Sequence, residues 1–144
     1  VKNLTGLRGR WEWLQENPNI ICDVAHNPAG LQEVLGQWKQ LQAANNHIIL
    51  GFVKDKDVDE ALALFPKDVT YYFCNAQIER ALPAAELKEK AAWAGLGGNA
   101  YMTVAEAVNA AQSAMTEEDA LLITGSFFIV GEALAMLKLQ SAEM

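Results

Sequence analysis

Four short apolar runs, each ending at a polar corner and most followed by a segment of helical period, constrain this chain more than anything else in it. They are Asn19–Asp23, His47–Val53, Val69–Cys74 and Ala120–Thr124. Strands separated by helices of ten or more residues need right-handed crossovers, which set them parallel in one sheet. The segment 10–15 (Arg-Trp-Glu-Trp-Leu-Gln) differs, because it alternates polar and apolar side chains as a strand with one exposed face does. Glu16-Asn17-Pro18-Asn19 supplies turn chemistry, so an N-terminal β-hairpin should open the fold. The expected class is α/β, a doubly wound, mostly parallel open sheet of Rossmann-like form, with one antiparallel strand from that hairpin.

Helix signals fill the gaps between the runs. Asn27 is a good N-cap and Pro28 suits the first helical position. Leu31, Val34, Leu35, Trp38 and Leu41 then recur at helical spacing, which predicts a helix ending near Ala44. Asp57 should cap a helix that stops before Pro66, and Pro83 should open another that ends before Gly95. Ala100-Tyr101-Met102 reads as a short edge strand. Thr103 with Glu106 three residues on forms a capping-box pattern for a helix through Met115. A last helix should run from about Phe128 to Leu139.

Composition narrows the partners. The chain has 144 residues, enough for one domain with a real core, read here as residues 1–144. Its net charge is −7 and no basic stripe is present, which argues against nucleic acid and against anionic membranes. No apolar run approaches the length of a membrane span, and Val1-Lys2-Asn3 does not open a signal peptide. The two cysteines, Cys22 and Cys74, sit in strand-like runs and read as small core residues in a reducing, cytoplasmic setting. Residues 1–8 look like a linker entering a domain.

In a doubly wound sheet the ligand loops lie at the carboxyl ends of the strands. Four are legible: 23–27, 54–57, 75–80 and 125–127. Asp23 suits a pair of ribose hydroxyls, or else holds a turn. His26, just before a helix amino terminus, suits a carboxylate, or else bonds the backbone. Lys54 and Lys56 flank Asp55 as a solvated cluster or an anion site. Ser126 either caps the last helix or bonds a ligand carboxylate. His47, at a strand start, reads as structural or solvated, and Trp11, Trp13, Trp38 and Trp93 as core and surface packing rather than stacking platforms. No Walker-type phosphate loop, dinucleotide fingerprint, nucleophile elbow or zinc spacing occurs.

Gly9-Arg10, Asp23-Val24-Ala25-His26-Asn27-Pro28, Asp55-Lys56-Asp57, Arg80-Ala81-Leu82-Pro83 and Gly125-Ser126-Phe127 together resemble the carboxy-terminal domain of folylpolyglutamate synthase/dihydrofolate synthase, in the Mur ligase superfamily. The resemblance runs along nearly the whole chain, and the D-x-A-H-N-P corner is its most specific part. It implies ATP-dependent amide formation, in which a folate or dihydropteroate carboxylate becomes an acyl phosphate that the amine of glutamate attacks. It also implies ATP and Mg as cofactors, with the Mg ligands, phosphate loop and most of the folate pocket on an N-terminal ATPase domain outside this chain. Carried over by motif, Arg10 and Asp23 would contact ATP. His26, Ser126, Lys56 and, by shaping the corner, Asn27 would serve the glutamate site. No catalytic proton-transfer residue and no metal ligand is implied here, and the chain alone should not turn over. Two alternatives stand beside this reading: a stand-alone regulatory or small-anion-binding α/β module, or the equivalent domain of another Mur-type ligase.

Overall fold

A computed structural model describes residues 10–55 and 57–142. The described residues form strands β1 (Glu12–Gln15), β2 (Asn19–Asp23), β3 (Asn46–Leu50), β4 (Thr70–Phe73), β5 (Gly98–Ala100) and β6 (Ala120–Thr124). Between and after them lie helices α1 (Pro28–Trp38), α2 (Val58–Leu62), α3 (Ala84–Trp93), α4 (Val104–Ala114) and α5 (Phe127–Ala142). One six-stranded sheet has the order β1-β2-β6-β3-β4-β5. β1 runs antiparallel to β2, and every other pairing is parallel. The α/β fold with its opening antiparallel hairpin is therefore as the sequence predicts.

Both faces of the sheet are covered, which is why the central strands are apolar without alternation. Ile21, Ile48, Leu50, Tyr71, Phe73 and Leu122 pack on one face against Leu31 and Leu35 of α1, Leu62 of α2 and Leu87 of α3. Ile20, Cys22, Ile49, Cys74, Leu121 and Ile123 pack on the other against Val108 of α4 and Ile129 and Val130 of α5. Cys22 and Cys74 are unpaired and buried, as expected. Burial pushes each thiol up to about 12, with Glu12 and Asp23 adding to the effect at Cys22 and Glu132 at Cys74. Both therefore stay protonated and unreactive. No described helix is long and apolar enough to cross a membrane.

Several element bounds differ from the sequence reading, each for a local reason. α1 ends at Trp38, not near Ala44, because Gln40 and Leu41 donate to the carbonyls of Gln37 and Trp38, a tightened turn that closes the helix. Leu41 still packs on the core, which is what extended the helical pattern. α2 is only five residues long, and Asp57 makes no side-chain cap; instead its N–H donates to Asp55 Oδ1 at 3.0 Å. β5 lies at Gly98–Ala100, two residues early. Gly98 fits there because a Cβ would stand 2.2 Å from the Tyr71 carbonyl oxygen on β4. Thr103 does cap α4, but Glu106 Oε1 accepts from the Met102 N–H, not from that of Thr103.

At the amino end of the sheet His47 is buried, as its structural reading requires. Its Nδ1 lies 2.8 Å from the Tyr72 hydroxyl and its Nε2 3.1 Å from Asp119 Oδ2. This network is at the opposite edge from the loops described next.

Candidate functional site

The chain passes from β2 through α1 to β3 and skips over β6, which lies between them. Helices α1, α2 and α3 pack on one face and α4 and α5 on the other. The chain therefore leaves β2 and β3 toward one face and leaves β6 toward the opposite one. This divergence is the kind of switch point at which open α/β sheets bind ligands. The parallel register also brings the four loops named from sequence to the same edge of the sheet.

Hydrogen bonds stitch that edge together. The Gly125 N–H donates to the Ala25 carbonyl at 3.2 Å, and Thr124 Oγ1 donates to the Asp23 carbonyl at 2.8 Å. The Lys54 N–H donates to the Arg80 carbonyl at 2.8 Å and the Leu82 N–H to the Phe52 carbonyl at 2.9 Å. These bonds tie the loop after β3 to the arginine-containing loop after β4. Gly125 has φ +114, and a Cβ on it would stand 2.0 Å from the Gly51 carbonyl oxygen. Only glycine lets β6 turn away at such close range to the end of β3.

Beside this junction a cleft of ≈ 410 Å³ is lined by Arg10, Trp11, Asp23, His26, Gly30 and Glu33, among others. Asp23 is 7% exposed and ends β2. Its Oδ2 accepts from the Trp11 N–H at 2.8 Å and its Oδ1 from the Ala25 N–H at 2.9 Å. Burial raises its pKa; the two N–H donors and Arg10 pull it back only in part, and Glu33 adds to the rise. The turn-holding reading of Asp23 is thus realised in the structure. Each oxygen still has lone-pair capacity for a further donor.

His26 is exposed, with Nδ1 3.3 Å from the Val24 carbonyl. Asn27 Oδ1 accepts from the Gly30 N–H at 2.9 Å and caps α1, with Pro28 at its first turn. Ser126 is 4% exposed, and its Oγ accepts from the Ile129 N–H at 3.1 Å as the cap of α5. That bond uses the oxygen and leaves the hydroxyl hydrogen as a donor. Arg10 is exposed at the cleft mouth. Lys56 lies outside the described residues, as does the expected linker at 1–8.

Arg10, Asp23, His26 and Asn27 are thus brought to one cleft, and the Ser126 corner is bonded to its wall through Gly125. A cleft with a cation at its mouth and a carboxylate with spare lone pairs in its wall can take an anion and hydroxyl donors together. Among the described residues no cluster of His, Cys, Asp or Glu could hold a metal ion.

Sequence reasoning missed two features. Trp11 packs against the core as expected, but it also lines the cleft at φ +42, a left-handed conformation that nothing in the local sequence marks. Asn75 Oδ1 accepts from the Ala84 N–H at 2.9 Å and so caps α3 from nine residues upstream, a non-local bond with no spacing signature.

The chain matches the family described as Mur ligase, glutamate ligase domain, over residues 9–127. It is 33% identical to the dihydrofolate synthase/folylpolyglutamate synthase of Escherichia coli across 91% of this chain and 31% of that protein. Its backbone is similar to that of E. coli FolC in complex with DHPP and ADP, with a TM-score of 0.85 and 28% identity over 94% of this chain and 32% of that one. It is likewise similar to a bifunctional folylpolyglutamate synthase/dihydrofolate synthase with Mn, AMPPNP and L-glutamate bound, at a TM-score of 0.82 and 27% identity over 92% of this chain and 32% of that one. The chain thus spans about a third of the length of these relatives. With the family's model matched over residues 9–127, and with segments of the folate ligases similar along nearly its whole extent, this chain belongs to the family described as Mur ligase, glutamate ligase domain.

Proposed function

We propose that residues 1–144 are a single domain that seats glutamate and closes over ATP in an amide ligase acting on folate or dihydropteroate, with residues 1–8 the linker from an N-terminal ATPase domain. One observation carries this reading. The acid-to-histidine corner and the Gly125-Ser126 corner, far apart in sequence, meet at the switch point of the sheet beside a cleft with Arg10 at its mouth. Relatives solved with ADP, and with AMPPNP, Mn and L-glutamate, support the choice of ligands.

In the whole ligase ATP supplies the phosphoryl group that activates the acceptor carboxylate as an acyl phosphate. The glutamate amine then forms the amide as phosphate leaves and a proton is released. This chain's part is positioning and charge. Arg10 neutralises nucleotide phosphate, as a guanidinium does bidentately. Asp23 accepts from ribose hydroxyls with the lone pairs that Trp11 and Ala25 leave. His26 and the Ser126 hydroxyl bind glutamate carboxylates, with Lys56 as a further cation, and Asn27 holds the corner by its cap. None moves a proton in the reaction. Holding amine and acyl carbon together contributes through orientation, which can lower a barrier by several kcal/mol, about 7–11 at its best. The Mg ligands belong to the ATPase domain in this reading.

Amide NMR on the 144-residue chain tests it. L-glutamate should shift the backbone signals of His26 and Ser126, and ADP those of Arg10, Asp23 and Ala25. Affinities should be about millimolar, near −4 kcal/mol, since each ligand meets only half of its site. Shifts confined to other surfaces, or none at tens of millimolar, would remove the assignment.

A further inference from the structure

Two cations on the ligand edge have no role in the reading above. Lys54 follows β3 and Arg80 precedes α3. A single antiparallel bridge, Val53 with Ala81, joins their loops. Its register sets Lys54 directly opposite Arg80, and the Lys54 N–H donates to the Arg80 carbonyl at 2.8 Å. Residues opposite each other on antiparallel segments project to the same side of the ladder, with Cβ atoms about 5 Å apart. The platform beneath them is fixed, because Phe52 and Leu82 are buried and the Leu82 N–H donates to the Phe52 carbonyl. Both cationic residues are nevertheless exposed, and neither forms an ion pair with a described residue. Of the carboxylates next to them in sequence, Asp55 accepts from the Asp57 N–H through Oδ1, and Glu79 is exposed. Like charges directly opposite each other repel, and an anion that meets both removes that repulsion.

We propose that Lys54 and Arg80 hold the free carboxylates of an oligoglutamyl tail on the acceptor, beside the seat of the incoming glutamate. The proposal rests on the glutamate reading above and adds to it the part of the acceptor that this chain recognises. Position and chemistry both favour such a ligand. β3 lies beside β6 and β4 beside β3, so the pair stands one to two strand spacings, about 5–10 Å, from the Ser126 corner. Each residue of a glutamyl tail keeps one carboxylate free of the amide linkage, so successive carboxylates can meet successive cations. Arg80 offers a fork to one carboxylate and Lys54 a mobile point charge to the next. An acceptor without a tail has nothing to offer the pair. The two cations therefore separate acceptors that already carry glutamate from those that do not.

Amide NMR on the 144-residue chain tests this with L-glutamate, γ-linked triglutamate and inorganic phosphate as probes. Triglutamate should shift the Lys54 and Arg80 amides and bind about fivefold or more tighter than L-glutamate, since an exposed ion pair is worth about two- to fivefold and two would form. A double variant, Lys54→Gln with Arg80→Gln, should bind the two ligands alike; one that still prefers triglutamate would overturn the proposal. If triglutamate leaves Lys54 and Arg80 unmoved while L-glutamate shifts His26 and Ser126, the tail site is wrong and the glutamate seat survives. If L-glutamate shifts neither corner but triglutamate shifts the pair, the seat falls and the oligocarboxylate site stands. Inorganic phosphate shifting the pair at concentrations as low as triglutamate does would mark a general anion site and overturn the tail assignment. Should the double variant not fold, the shifts in the unmodified chain still decide.

Discussion

Asp23 and Asp119 are both nearly inaccessible, yet the fold pulls their acidities in opposite directions. Burial dominates at Asp23 and raises its pKa against the donors around it. At Asp119 desolvation also acts upward. The Thr116 N–H, His47 Nε2, the Thr116 hydroxyl and Asn45 Nδ2 together outweigh it and hold the carboxyl below its usual value of 3.8. The consequences for stability have opposite signs. Asp23 keeps its proton to higher pH in the folded state, so its term favours folding fully below 3.8 and fades as pH rises through the folded value. Asp119 releases its proton more readily when folded. Its term is present above 3.8 and is lost as pH falls through the depressed folded value. Asp119→Asn should therefore lower stability at neutral pH and flatten the acid limb of a stability-against-pH curve measured by urea unfolding. An acid limb of unchanged steepness in that variant would show that Asp119 does not carry it. The raised pKa of Asp23 also suits its proposed place in the site, because a carboxylate crowded by burial gains from every further hydroxyl donor.

At the scale of elements, two corners carry unequal loads. Asn27 caps α1 through one bond to the Gly30 N–H, and Asn27→Ala should cost about 1 kcal/mol, the usual worth of such a cap. Gly125 has no such tolerance. Alanine there would meet both a strained φ of +114 and a carbonyl oxygen 2.0 Å away on the neighbouring strand end. Backbone cannot give as a flexible side chain can, so Gly125→Ala should cost about 3 kcal/mol or more, among the larger single-residue effects. Denaturant midpoints of the two variants check the ranking, and equal losses would contradict it. The same contrast explains what the sequence could reveal. Asn27-Pro28 and Thr103 act within three or four residues of themselves, so their helix starts were legible. The Asn75 cap on Ala84 and the Asp23 bond to Trp11 join residues that only the tertiary fold brings together. Sequence spacing cannot show them. The end of α1 at Trp38 departs from the sequence pattern for a related reason: Leu41 keeps the helical period and its contact with the core after the backbone has already tightened into a turn. The candidate site was readable as four strand ends. The bonds that join those ends into one edge were not.

For the whole molecule, the decisive question is what a half-site can do. The sheet is one continuous layer, and its two cores share the same strands, so neither can melt without exposing the back of the other. Unfolding followed by far-ultraviolet circular dichroism and by tryptophan fluorescence should give coincident transitions, the mark of a single cooperative unit. Yet a stable fold does not supply a reaction. The proposed chemistry needs phosphate, metal and acyl acceptor held against the glutamate that this chain presents, and the described residues offer no metal cluster. Orientation contributes only when both partners are fixed, so a chain that holds one of them keeps almost none of that advantage. The expected outcome is no phosphate release above background when ATP, Mg, glutamate and dihydropteroate are added to the isolated chain. Joined to the remaining two-thirds of the E. coli relative, in place of the segment it matches, it should restore release that depends on glutamate, with His26→Ala raising the KM for glutamate and Asp23→Lys that for ATP. Turnover by the isolated chain would mean that it contains its own phosphate and metal sites, and the division of labour across a domain cleft would have to be abandoned.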